Sequence, residues 1–217
     1  MTVERQTAAR EFDRANPLSR FVDVARRVAL HPFRFYAEIP RQGGLFNPLL
    51  FAMICAAIGT ILEAVLSLVG VGGTLGLFLD PFDASTGDWI AYAIGSLISL
   101  LVVVPIVLFI DAGIVHLLVR LIVGAGNSGF GATFRVVSYS SVVLLVSWIP
   151  FIGTLLNILY GSYLQFVGVR QMHETTTGRA LAVILVNIAI YALVIVGLGW
   201  AVGMGASESF STWWTSP

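Results

Sequence analysis

Four side chains within long apolar runs carry most of the chemical capacity of this chain: Glu63, Asp111, His116 and Arg120. An ionisable group in hydrocarbon costs roughly 2.5–3.5 kcal/mol on insertion scales, so such residues are read first as parts of an ion, proton or substrate path. Glu63 sits about seven residues from the end of its run, roughly 10 Å deep at the helical rise. Glu63 is nevertheless read as a structural residue, a protonated or hydrogen-bonded glutamate facing a hydroxyl such as Tyr92, Ser96 or Ser99, with the path as the alternative. Asp111 follows Trp89 by 22 residues, about 33 Å along a straight helix, which predicts a place near the opposite interface. The two carboxylates are therefore not expected to share a site. His116 and Arg120 are four residues apart and share a helical face, whereas Asp111 is turned well away from His116. Asp111, His116 and Arg120 read as a polar girdle at headgroup level, with phosphate-headgroup binding by Arg120 and Arg135 as the alternative.

Other chemistries find little support. Too few ligands fall in range for a metal, and no cofactor is expected. Gly124-Ala125-Gly126-Asn127-Ser128-Gly129 matches G-x-G-x-x-G literally. The dinucleotide fingerprint, however, needs a preceding strand and a distant acidic residue, and no lysine follows as in a phosphate-binding loop. A compact turn between helices is the expected role. Catalytic motifs such as HExxH, G-x-S-x-G or CxxC are missing from the sequence, so the chain is not expected to be an enzyme. Cys55, the single cysteine, reads as a small buried hydrophobe.

The elements that hold these residues are set by composition. Of 217 residues, 57% are hydrophobic and 11% charged, with a mean hydropathy of +0.89; soluble domains carry about 25% charged residues. Lipid must supply part of the surroundings. A net charge of zero gives no global field for nucleic acid. All 12 basic residues are arginines: eight precede the first apolar run, and Arg120, Arg135, Arg170 and Arg179 flank two later connections. Arginine bias sets the orientation of a polytopic protein, and five spans place all twelve on one side.

The spans are expected at about 47–70, 89–123, 134–149, 151–170 and 179–204; the second is longer than a bilayer requires, so its end is read as emerging into the headgroup zone, and the third is short. Pro105 is expected to kink the second. The uncharged stretch 136–169 is too long for one span, and Trp148 to Gly153 supplies a Pro/Gly turn between two short helices. Thr175, Thr176 and Thr177 can cap the last helix. Gly199 and Gly203, like Ala52 and Ala56, permit close helix approach. Residues 71–88 form a Gly-rich external loop, and 205–217 a short external tail in which Trp213 and Trp214 suit the interface, as does Trp89.

The first 46 residues contain no apolar core of a signal peptide. Within them, Leu18, Phe21, Val22, Ala25, Val28 and Ala29 follow helical spacing, with Arg20, Asp23, Arg26 and Arg27 on the other face and Pro32 as breaker. This predicts an amphipathic helix over about 17–31, lying in the interface plane or docked on the protein's own loops. Arg26, Arg27, Arg135 and Arg170 are the candidate headgroup contacts. The fold class expected is all-α: a polytopic membrane protein of five transmembrane helices behind an N-terminal cytoplasmic amphipathic helix. Domain organisation follows as 1–46 cytoplasmic segment, 47–204 membrane domain and 205–217 tail.

Several motifs, taken together in order, resemble the Yip1 domain family of five-span membrane proteins. Before the first span stand His31-Pro32-Phe33-Arg34-Phe35-Tyr36, Gly43-Gly44 and Asn47-Pro48-Leu49. Later come Ala112-Gly113-Ile114-Val115-His116-Leu117-Leu118, the Gly-rich turn with Phe130, and Thr133-Phe134-Arg135-Val136-Val137-Ser138-Tyr139. Ile149-Pro150-Phe151-Ile152-Gly153 and Val167-Gly168-Val169-Arg170 with His173 complete the set, which covers about residues 30–200. The resemblance implies a cytosolic N-terminus and an external or lumenal C-terminus. Eukaryotic members are associated with small GTPases and Golgi traffic. Their long N-terminal region has no counterpart in the 46 residues before the first span, and the chain is more similar to short prokaryotic members of unsettled role, placed in the cytoplasmic membrane. Small-GTPase binding is therefore not carried over. Expected partners are the lipid bilayer and other membrane proteins or a second copy. Function is read as a non-enzymatic membrane scaffold, the alternative being a small transporter, channel or lipid translocator using Glu63 and the Asp111/His116/Arg120 girdle.

Overall fold

The computed structural model describes Phe12 and residues 17–68, 94–124 and 126–215, and all regular structure among these residues is helical. The loop expected at 71–88, with Trp89 and Tyr92, lies outside the described residues. Helix α1 is Pro17–Leu30 and α2 is Pro32–Glu38, the break between them falling where Pro32 removes a backbone donor. Helix α3 spans Phe46–Leu68. Helix α4, Ile94–Ile122, changes to π-type winding over Ser99–Val103. That turn immediately precedes Pro105, whose missing N–H disturbs regular α bonding.

Helix α5, Phe130–Val146, is α-helical to Ser140 and then winds as a 3₁₀ helix over Ser141–Val146. A turn at Pro150 leads into α6, Ile152–Met172. Phe151 holds a left-handed φ of 59°, and a Cβ on Gly153 would lie 2.5 Å from the Val146 carbonyl oxygen. Glycine thus lets the two helices close at the turn. Helix α7 runs Thr177–Thr215, with Thr176 Oγ1 accepting from the Arg179 amide at its start. Residues 205–215, expected as a tail, continue this helix.

Four segments are long and apolar enough to cross a membrane: Phe46–Leu66, Ile94–Ile122, Ile152–Met172 and Thr177–Gly197. The shorter α5 is the hub. Helices α1, α3, α4 and α6 all pack on it, and every side chain from Ala132 to Val143 is buried. Gly59 brings α3 so close that a Cβ there would meet the Leu144 carbonyl oxygen at 2.4 Å. Gly168 does the same for α6, with Val136 Cγ1 at 2.6 Å. Helix α7 closes the outer side against α4 and α6.

Helices α1 and α2 belong to this core. Phe21, Val24, Ala25 and Val28 of α1 are buried, while Val22, Asp23 and Arg26 are exposed. An aromatic cluster joins them to the bundle: Phe51 packs on Phe12, Phe21 and Tyr139, and Phe35 on Tyr36 and Tyr139. The Tyr36 hydroxyl donates to the Val136 carbonyl at 3.3 Å and lies 3.1 Å from Ser140 Oγ. Burial pushes the phenol of Tyr36 well up from its usual range despite the Ser140 contact.

Candidate functional site

Two polar groups stand out, on different sides of α4. The first lies where α4, α5 and the following loop meet. Gly124 and Gly129 adopt left-handed φ values of 89° and 85°, a conformation that favours glycine. Between them Asn127 bridges the turn: its Nδ2 donates to the Gly124 carbonyl at 2.8 Å, and its Oδ1 accepts from the Gly129 amide at 2.9 Å. The next residue, Ser128, fastens this loop to the end of α6. Ser128 Oγ donates to the Met172 carbonyl at 2.6 Å, and its amide donates to His173 Nδ1 at 3.1 Å. The literal G-x-G-x-x-G is therefore a clamp on His173, and its glycines serve the turn.

His173 is 2% exposed and continues the chain of bonds. Its Nε2 lies 3.0 Å from Thr133 Oγ1, which in turn lies 3.1 Å from His116 Nδ1. Burial, then the proximity of His116 and Arg41, holds the His173 imidazole down at about 4, so at neutral pH it carries no charge. His116 packs edge-on against Phe130. Beside it a depression of about 490 Å³ is lined by His116, Arg120, Gly124 and Asn127. Sequence spacing pairs His116 with Arg120 but gives no sign of Thr133 or His173 as partners, because those contacts cross from other elements.

The second group lies one to three turns back along α4. Asp111 is 11 residues before the end of α4 at Ile122, about 16 Å along the axis. Gln165 Nε2 of α6 donates to Asp111 Oδ2 at 3.2 Å. Asn187 and Tyr191 of α7 face the same carboxylate. Among the described residues, Asp111 Oδ1 and Asn187 Oδ1 are buried acceptors without a donor. Asp111 thus joins a three-helix junction, and the expected girdle divides into His116 with Arg120 on one side and Asp111 on the other. Glu63 is half-buried on α3 and has no hydrogen-bond partner among the described residues.

The candidate headgroup arginines separate as well. Arg26 is exposed. Arg27 pairs with Asp23 at 3.0 Å and lies over the Phe35 ring. Arg170 stacks on Phe33 with 5.2 Å from guanidinium carbon to ring centre. Arg135 does not reach headgroups, since it is 1% exposed. Its Nη2 donates to the Gly44 carbonyl at 3.0 Å and its Nη1 to Gly131 at 3.2 Å. Gly43, at φ 133°, passes so close that a Cβ would sit 2.9 Å from Arg135 Nη2. The Gly43-Gly44 pair is a mould for this guanidinium. Arg41 and Glu174 form an ion pair nearby. No cluster of potential metal ligands occurs among the described residues.

The family described as the Yip1 domain matches residues 26–201. No curated protein and no solved structure matches the chain. The matched span begins within α1, runs through α2, Gly43-Gly44, the Asn127 loop and the α5–α6 turn, and ends in α7.

Proposed function

The chain belongs to the Yip1 domain family and is a multi-pass membrane protein, and from that premise we propose that it acts as a non-enzymatic membrane scaffold. One observation carries the reading: α1 and α2 form a docked platform on the arginine side of the bundle. The inner face of the platform is buried, while its outer face presents Val22, Arg26, Leu30, Phe33 and Arg34. Apolar and cationic groups side by side suit the plane between headgroups and acyl chains, or a partner lying there. The arginine bias supports a cytoplasmic N-terminus and an external C-terminus. Helix α5 with its 3₁₀ end is about 28 Å long, close to the roughly 30 Å of hydrocarbon, which supports a fifth crossing. Residues 17–39 are then the part offered to other membrane proteins or a second copy.

Photo-crosslinkers at Arg26 and Arg34 in native membranes test this. Discrete adducts with one protein or with a second copy are the expected result. Liposome assays of ion, proton and fluorescent-lipid movement run in parallel, with wild type against Glu63→Gln, and the scaffold predicts no flux in either. Flux without adducts overturns it.

A second reading is favoured by Asp111 alone. A carboxyl within a membrane-spanning helix, facing Gln165, Asn187 and Tyr191 at a helix junction, is the type of group that takes up a proton during transport. This reading requires flux that Asp111→Asn abolishes.

A further inference from the structure

The bonds around His173 have a direction that can be worked out atom by atom. The Ser128 amide is an obligatory donor, so His173 Nδ1 must be the acceptor. A neutral imidazole then carries its proton on Nε2, which donates to Thr133 Oγ1. The Thr133 side chain is fully buried, and among the described residues the acceptor within reach of its hydroxyl hydrogen is His116 Nδ1. His116 Nδ1 therefore accepts, and its proton resides on Nε2. One backbone amide thus sets the tautomers of two histidines and leaves an N–H donor at the far end of the relay.

That donor belongs to a residue lining the depression it shares with Arg120. Arg120 is exposed, and among the described residues no carboxylate pairs with it. Asn127, on the same wall, has its amide committed to Gly124 and Gly129, which fixes the loop and leaves His116 and Arg120 as the polar groups facing a ligand. A neutral N–H beside a guanidinium offers donors and positive charge without an acceptor, and so selects an anion with several oxygens. Guanidinium geometry matches phosphate in particular, through two parallel N–H···O bonds.

We propose that His116 and Arg120 form a binding site for a phosphate group, Arg120 engaging two oxygens and His116 Nε2 donating to a third. The site lies at the arginine-bearing end of α4, where either a phospholipid headgroup or a free phosphate meets it. Thr133 and His173 are positioning residues that act through His116.

The test uses the full chain labelled with ¹⁵N at its 3 histidines. Inorganic phosphate is titrated into the detergent-solubilised protein against chloride at equal ionic strength. Separately, phosphatidylcholine vesicles with and without phosphatidate are compared. Either probe is expected to shift the His116 Nε2–H signal while His31 stays unmoved. Response to both probes identifies a phosphate site open to lipid. Response to inorganic phosphate alone identifies a free-phosphate site, and to phosphatidate alone a headgroup site. Arg120→Gln, an exposed substitution, is expected to weaken binding about tenfold or more. Thr133→Val is expected to mix the His116 tautomers in the ¹⁵N shifts and weaken binding less. A His116 signal indifferent to both probes, or binding unchanged in Arg120→Gln, overturns the site.

Discussion

Helices α4 and α5 are both apolar, yet they occupy opposite environments. Of the most apolar stretch of α4, 17% is buried within the protein, and Leu97, Leu101, Val102, Ile106 and Ile110 are exposed. Helix α5 is too short to count among the long apolar spans, but Ala132 to Val143 are all buried. The difference follows from the solvent. Lipid tails are as apolar as leucine, so hydrophobicity does not decide which helix goes inside. Close packing, hydrogen bonds and small residues decide it. Helix α5 has Thr133, Arg135, Ser138, Ser140 and Ser141 along its length, and its neighbours bring Gly59, Gly168, Gly43 and Tyr36 against it. Helix α4 has an outer face of branched aliphatics, which suits lipid.

The largest expected effect sharpens the α5 side through pH. His173, held neutral at about 4 against an unfolded value near 6.5, binds fewer protons folded than unfolded. Its share of stability is therefore full above pH 6.5 and lost as pH falls from about 6.5 to 4, on the order of 3 kcal/mol. Thermal melts across this range should show the loss, and His173→Gln should flatten it. Next comes Phe134→Ala. Burial from lipid adds no transfer term, but the cavity left beside Phe109 and Phe130 is expected to cost about 2–3 kcal/mol, read as a lowered unfolding midpoint in detergent. Gly59→Ala pushes a methyl group into the Leu144 carbonyl and is expected to cost about 1–3 kcal/mol in the same assay. Smallest is Val102→Ala on the lipid face of α4, expected within about 0.5 kcal/mol of wild type. Equal losses for Phe134→Ala and Val102→Ala would break the comparison.

Much of the helical frame was legible in the chain, because apolar run length and the Pro150 turn are local signals. The helices observed at Phe46–Leu68, Phe130–Val146 and Ile152–Met172 lie within a few residues of the expected 47–70, 134–149 and 151–170. The sites were legible only in part. Four-residue spacing put His116 beside Arg120, but periodicity names a face without naming what it meets. Gln165 and Asn187 are neutral residues far along the chain from Asp111, and Thr133 hydrogen-bonds two histidines from elements on either side. Arg135 looked like its fellow arginines because its partners are backbone carbonyls, which leave no mark in side-chain chemistry. The one visible sign was the Gly43-Gly44 pair, a mould without an obvious object until Arg135 is seen inside it.

The most direct test is labelling of the bilayer-reconstituted protein with a lipid-dissolved apolar diazirine, mapped by mass spectrometry. Adducts are expected on Leu97, Leu101, Leu193 and Ile195, the exposed aliphatics of α4 and α7, with residues 132–143 of α5 unlabelled. Labelling of α5 at the level of α4 would contradict a short helix enclosed by protein at the centre of the fold.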